Sequence, residues 1–167
     1  MDHCHVEFTP VSTEALRRTE AILTLVGDMK REVLDVDEER ISELLTPAEK
    51  AFFWNPSPPE MDEWNQHWKA TPVDVRLSPA MVIPQWTLES MYEAFWDGDY
   101  DFVGIVTENG KHFLAFEPNG YPYGGISSMI AFLECFGHSV RGYDDGTGYV
   151  QYTPREIWKS GRGRTEA

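Results

Sequence analysis

The residues that could carry proton chemistry gather late in the chain. His138 is followed by Asp144 and Asp145, and Glu117 joins them if the strands holding these residues are neighbours. An imidazole oriented by carboxylates is the usual make-up of a general base at neutral pH. No nucleophile with a recognisable elbow accompanies the group. Asp144-Asp145-Gly146-Thr147-Gly148 also has the composition of an ordinary turn. The sequence therefore assigns no catalytic residue outright. It offers His138, Asp144 and Glu117 as the enzymatic alternative.

A second candidate is the loop Gly120-Tyr121-Pro122-Tyr123-Gly124-Gly125, which leads into an apolar run. Free backbone N–H groups at a helix start attract phosphate or carboxylate. The loop matches neither the dinucleotide fingerprint nor the P-loop, because no Gly-Lys-Ser/Thr follows. A tight turn with packed tyrosines is the favoured reading. Tyr121, Tyr123, Gly124 and Gly125 are the ligand-binding alternative. At the N-terminus, Met1-Asp2-His3 has the amine, two-amide and imidazole order that chelates Cu(II) or Ni(II), with Cys4 and His5 beside it. No second Cys/His cluster completes a structural zinc site, so neither metal nor cofactor is expected.

Charge points elsewhere. The 167 residues carry a formal charge of −14. Nucleic acid and anionic membrane need a positive footprint, so both are excluded as expected partners. Residues 1–99 hold 20 acids against 8 Lys/Arg, and residues 100–167 hold 8 against 6. The negative field thus belongs to the first part, above all to Asp35, Asp37, Glu38 and Glu39 and to Glu60, Asp62 and Glu63. Met61, Trp64 and Trp68 recur at helical spacing among the latter, just after Trp54. Core packing is the expectation for these tryptophans. The alternative is an interaction surface, with Trp64 an aromatic anchor in acidic surroundings.

The elements that must position these residues follow from periodicity and punctuation. Asp99 to Tyr152 reads strand, turn, strand, glycine loop, helix, strand, turn, strand. Phe102–Val106 and His112–Phe116 flank Asn109-Gly110, the dipeptide of a type I′ hairpin turn. Ile126, Met129, Ile130 and Leu133 follow helix spacing, with Phe132 and Phe136 as a second stripe. A buried helix is expected at about 126–136, stopped by Gly137. Strands are expected at 138–143 and 149–152, and a short one at 4–8. Thr9-Pro10 opens a first helix that Gly27 breaks or ends, and Asp28 caps a second running to about Leu45. Thr46-Pro47-Ala48-Glu49, Ser57-Pro58-Pro59-Glu60 and Thr153-Pro154-Arg155-Glu156 have capping-box form, so three short helices are expected after them. Thr71–Leu77 reads as a strand and Thr87–Trp96 as a helix. The tail is basic at Arg155, Lys159, Arg162 and Arg164, and from Ser160 onward it is expected to fray.

The fold class expected is α+β in a single domain: N-terminal helices packed on a twisted antiparallel sheet, with one buried helix between strands. Two cysteines, Cys4 and Cys135, make no disulfide framework. No signal peptide or apolar membrane span is apparent, so the cytoplasm is the default compartment. The function expected is non-enzymatic binding: an acidic, immunity-type inhibitor covering a basic protein such as a toxin or nuclease. The alternative is a small-molecule-binding domain or enzyme built on the 120–125 loop with His138 and Asp144. The sequence leaves oligomeric state open.

Overall fold

The structure is a computed structural model that describes residues 1–32 and 37–161. Five strands form one antiparallel sheet in the order β2-β3-β1-β4-β5. They are β1 (Cys4–Thr9), β2 (Tyr100–Glu108), β3 (Lys111–Pro118), β4 (Ser139–Asp144) and β5 (Tyr149–Gln151). The β2–β3 hairpin turns at Asn109 and Gly110, both at positive φ (52° and 76°), as the Asn-Gly dipeptide predicts. The short strand at the N-terminus is the middle of the sheet. β1 pairs with β3 on one side and β4 on the other. Its alternation explains the place. Val6 and Phe8 join the helices in the main core, while His5 and Glu7 take the opposite face.

Seven helices complete the described chain: α1 (Thr13–Arg31), α2 (Glu38–Leu44), α3 (Pro47–Ala51), α4 (Pro58–Ala70), α5 (Val73–Arg76), α6 (Leu88–Asp97) and α7 (Ser127–Cys135). The result is an α+β fold. None of these helices is long and apolar enough to cross a membrane. The buried helix between strands is α7, seven of whose nine residues are buried. The capping boxes at Thr46/Glu49 and Ser57/Glu60 both form.

Four local expectations are corrected. The first helix starts at Thr13, not Pro10. Thr9 is held in β1 opposite Ser139, and Ser12 caps α1 by accepting from the Ala15 N–H at 3.0 Å. α1 runs through Gly27, which is buried beneath β2, so Asp28 caps nothing and pairs instead with Arg31. Thr71–Leu77 is not a strand but contains the single turn α5. Its alternating Val73, Val75 and Leu77 have no sheet to join and are exposed. Finally, Thr153-Pro154-Arg155-Glu156 starts no helix. The chain there is an extended arm. Ile157 bridges to Ile83, the Trp158 N–H donates to the Ile83 carbonyl, and Arg155 donates to the carbonyls of Ile83 and Pro84. These tertiary bonds outweigh a local cap with little helix to follow it.

Candidate functional site

His138 is withdrawn from any acid–base role by its surroundings. It is 4% exposed and lies between the rings of Phe8 and Phe136. Its Nδ1 accepts from the Val11 N–H at 3.1 Å, which leaves Nε2 to donate to the Thr19 hydroxyl at 2.8 Å. That hydroxyl in turn donates to the Ala15 carbonyl. Both ring nitrogens are satisfied in the neutral form. Burial, helped by His112, pushes the imidazole pKa down to about 4. His138 precedes the first residue of β4 and Asp144 is the last, so the strand's length, roughly 20 Å at about 3.3 Å per residue, separates them. Glu117 is held at the end of β3, 2.9 Å from the His3 ring. The catalytic alternative is not assembled.

The glycine loop and the Asp144 turn do meet, without His138. The Tyr121 hydroxyl donates to the Asp145 carbonyl at 3.4 Å. A Cβ on Gly146 would strike that hydroxyl and would lie 3.6 Å from the Cys4 Sγ. Asp144 Oδ1 accepts from the N–H groups of Gly146 and Gly148, and Asp145 Oδ1 from Thr147, so the carboxylates serve their own turn. Tyr123 is buried and packs against Tyr100 and Phe116, while Tyr121 is exposed. Gly124 and Gly125 both take positive φ, and Gly124 passes close to Gly98. Burial raises the Cys4 pKa. Its bond with Tyr121 lowers it again, and Asp144 and Asp145 add to the rise, so the sulfur is held as a thiol. This is a packed junction between two turns.

The N-terminal amine and imidazole are directed to separate carboxylates, the amine to Glu108 and His3 to Glu117. Among the described residues, no three His, Cys, Asp or Glu side chains gather as a metal site would require.

An aromatic cleft lies beside α4. This helix buries none of its 13 residues, although Met61, Trp64 and Trp68 lie along it. The expected core packing of these tryptophans is therefore overturned for Trp68, which is 38% exposed, and only half met by Trp64. Instead of docking on the core, α4 meets the C-terminal arm. Trp158 packs against Trp64 at 5.0 Å between ring centroids and stacks on His67 at 6.0 Å, with Trp54 at 6.3 Å. Between α4, the 83–87 segment and the start of α7 lies an open cleft of about 710 Å³. Trp54, Trp64, Trp68 and Trp86 form its walls, and Asn65, Gln85 and Arg155 are among its polar groups. A smaller cavity of about 300 Å³ continues past Trp86 and Arg155 to Glu134 and Tyr152. There the Tyr152 hydroxyl donates to Glu134 at 2.9 Å, and burial raises the Glu134 pKa against the pull of that bond and of Arg155.

The acidic residues divide between two helices. Asp37 caps α2, accepting from Arg40, and Glu38 and Glu39 are exposed in its first turn. Glu60 closes the α4 capping box, Asp62 is exposed, and Glu63 accepts from the Gly161 N–H of the arm. Asp35, like Arg162 and Arg164, lies outside the described residues. Sequence reasoning missed Trp86, Arg155 and Trp158. The signal for the arm was an aromatic and two apolar-flanking basic residues after Pro154, in a stretch too short for a stable helix. No family model, curated protein or solved structure matches this chain.

Proposed function

We propose that the chain is a non-enzymatic binding protein whose α4–α5 side covers a basic protein partner, in the manner of an immunity-type inhibitor acting in the cytoplasm on a toxin or nuclease. One observation carries the reading: a 13-residue helix that buries nothing displays Met61 and Trp68 among Glu60, Asp62 and Glu63. The neighbouring chain extends that surface. Six of the large apolar side chains that are exposed lie between residues 61 and 83: Met61, Trp68, Val73, Val75, Leu77 and Ile83. Apolar anchors supply holding energy at an interface, and the surrounding acid steers a cationic surface to it. The overall charge of −14 acts in the same direction at longer range.

The test is capture of partners by tagged protein at about 50 mM and about 500 mM salt, spanning a several-fold change in screening. Wild type is compared with Asp62→Lys and with Trp68→Ala. Both positions are exposed, and neither belongs to the buried core. A basic protein retained at low salt, weakened at high salt and lost with both variants supports the reading. Capture that is indifferent to both variants, or a partner without basic character, overturns it.

A further inference from the structure

The tryptophan cleft has a hydrogen-bonding character of its own. Its walls are Trp54, Trp64, Trp68 and Trp86, and Asn65 and Gln85 project beside them. No indole N–H among the four donates to a protein acceptor among the described residues. Gln85 accepts from the Trp86 N–H through Oε1, which leaves its NH₂ to donate outward. The hydroxyls of Thr87 and Ser90 are engaged with each other in the α6 cap. Arg155 is the one charged side chain in the lining, and both of its terminal nitrogens already donate to the carbonyls of Ile83 and Pro84. The cleft is therefore walled by aromatic rings, with indole and amide N–H groups that have no protein acceptor and with no carboxylate in its lining.

The complementary ligand offers acceptors, apolar rings and few N–H groups. A polyproline II segment has these properties. Its carbonyls are solvated and unpaired, its proline nitrogens carry no hydrogen, and its fixed φ lowers the entropy lost on docking. Aromatic-lined grooves take such segments. Resting on the reading of the chain as a binder of a basic protein, we propose that this cleft docks a proline-rich segment of that partner, flanked by Lys or Arg. Charge sets the direction. Asp62 is exposed on α4 three positions before Asn65 of the lining, so the basic flank belongs at the α4 end. Arg155 repels a cation at the other end.

The experiment follows the indole N–H resonances of the full chain by ¹⁵N-correlated NMR. The probe is a capped ten-residue peptide with two arginines followed by prolines. The control peptide replaces the prolines with glycine and serine. Saturable shifts of the Trp64 and Trp86 indole signals are expected, with the control at least tenfold weaker. Trp86→Ala, and independently Gln85→Ala, should weaken the proline peptide severalfold while the α7 amide signals stay in place. Equal binding of both peptides, or no indole shift with either, overturns the inference even when the salt-dependent partner survives. Shifts with a neutral oligosaccharide and not with the proline peptide overturn it too. Proline-peptide binding in the absence of any basic partner sustains the cleft and removes the wider reading.

Discussion

Trp64 and Trp158 meet at 5.0 Å between ring centroids with their planes at 58°, and this pair joins α4 to the rest of the molecule. The two residues are 94 positions apart in a chain whose core otherwise excludes α4. The arm that carries Trp158 is itself fixed through Ile83, Pro84 and Glu63. Removing the indole should therefore free a helix without dissolving the sheet. Trp158→Ala is expected to cost about 1–2 kcal/mol, from a half-buried ring and its aromatic partners. Amide exchange is the decisive readout. The α4 amides should exchange much faster in the variant, while those of β1 and β3 keep their protection. Trp158→Phe should restore most of the protection. Uniform loss across all elements would mean that α4 is part of the central cooperative unit.

The Arg18–Glu49 pair is the best-built ion pair in the molecule. Both Arg18 Nη groups reach the carboxylate, and Nη2 also donates to the Leu44 carbonyl at 2.8 Å. Glu49 Oε2 accepts in addition from the Thr46 N–H, closing the α3 cap. The side chains are only 21% and 10% exposed. Burial opposes the charged carboxylate. The bonds from Arg18 and Thr46 outweigh it and hold the Glu49 pKa below its ordinary 4.5. Removing one partner strands the other, so Arg18→Ala should cost about 3 kcal/mol at pH 7 in urea unfolding. The sign with pH follows from the depressed pKa. The stabilisation is complete above 4.5 and is lost as pH falls through the lower folded value. The gap between wild type and variant should accordingly shrink in the acid range, and a gap that does not move would refute this assignment.

His138 supplies a second pH dependence with its own window. The folded chain holds the imidazole neutral down to about 4, while the unfolded chain protonates it near 6.5. Between those values the unfolded state binds the extra proton. Stability must then fall as pH drops from 6.5 to 4, at a limiting slope of about 1.4 kcal/mol per pH unit, and stay flat above 6.5. His138→Gln keeps acceptor and donor atoms for Val11 and Thr19 but cannot titrate. Its unfolding free energy should lose this slope. A His138 NMR titration midpoint near 6.5 in the native protein would show that the ring is accessible after all.

These residues show where the sequence was legible and where it was not. Local signals with a stereochemical cause were readable: Asn109-Gly110 requires two positive φ angles, and Thr46 and Ser57 each satisfy an N–H that a glutamate reciprocates. The apolar spacing of α7 was readable because one helix face must be buried whatever surrounds it. Val73, Val75 and Leu77 misled because alternation implies a strand only if a neighbouring strand exists. The rank of β1 in the sheet was hidden, since six weakly alternating residues look alike at an edge or in the centre. The cleft was hidden for the same reason. Its walls, Trp54, Trp64 with Trp68, and Trp86, come from three separate segments, and Arg155 of the arm completes the lining. His138 and Asp144 are only six positions apart in the sequence, but an extended strand sets them at opposite ends.

Gly27 gives a prediction in which a substitution helps. The residue interrupts the helix pattern in sequence, but α1 continues for four residues beyond it. Its backbone has no positive φ, so nothing in its conformation requires glycine. An added Cβ would approach only the Cβ of Phe102, at 3.7 Å, an ordinary van der Waals contact. Glycine inside a helix forfeits backbone entropy that alanine does not, and the gain comes largely from the unfolded chain. Gly27→Ala should raise stability by about 0.5–1 kcal/mol. That corresponds to a rise of roughly 1–4 °C in Tm for a chain of this size. Thermal unfolding followed by circular dichroism measures it directly. A lower Tm would mean that α1 sits closer to β2 than 3.7 Å allows and that Gly27 is there for close approach.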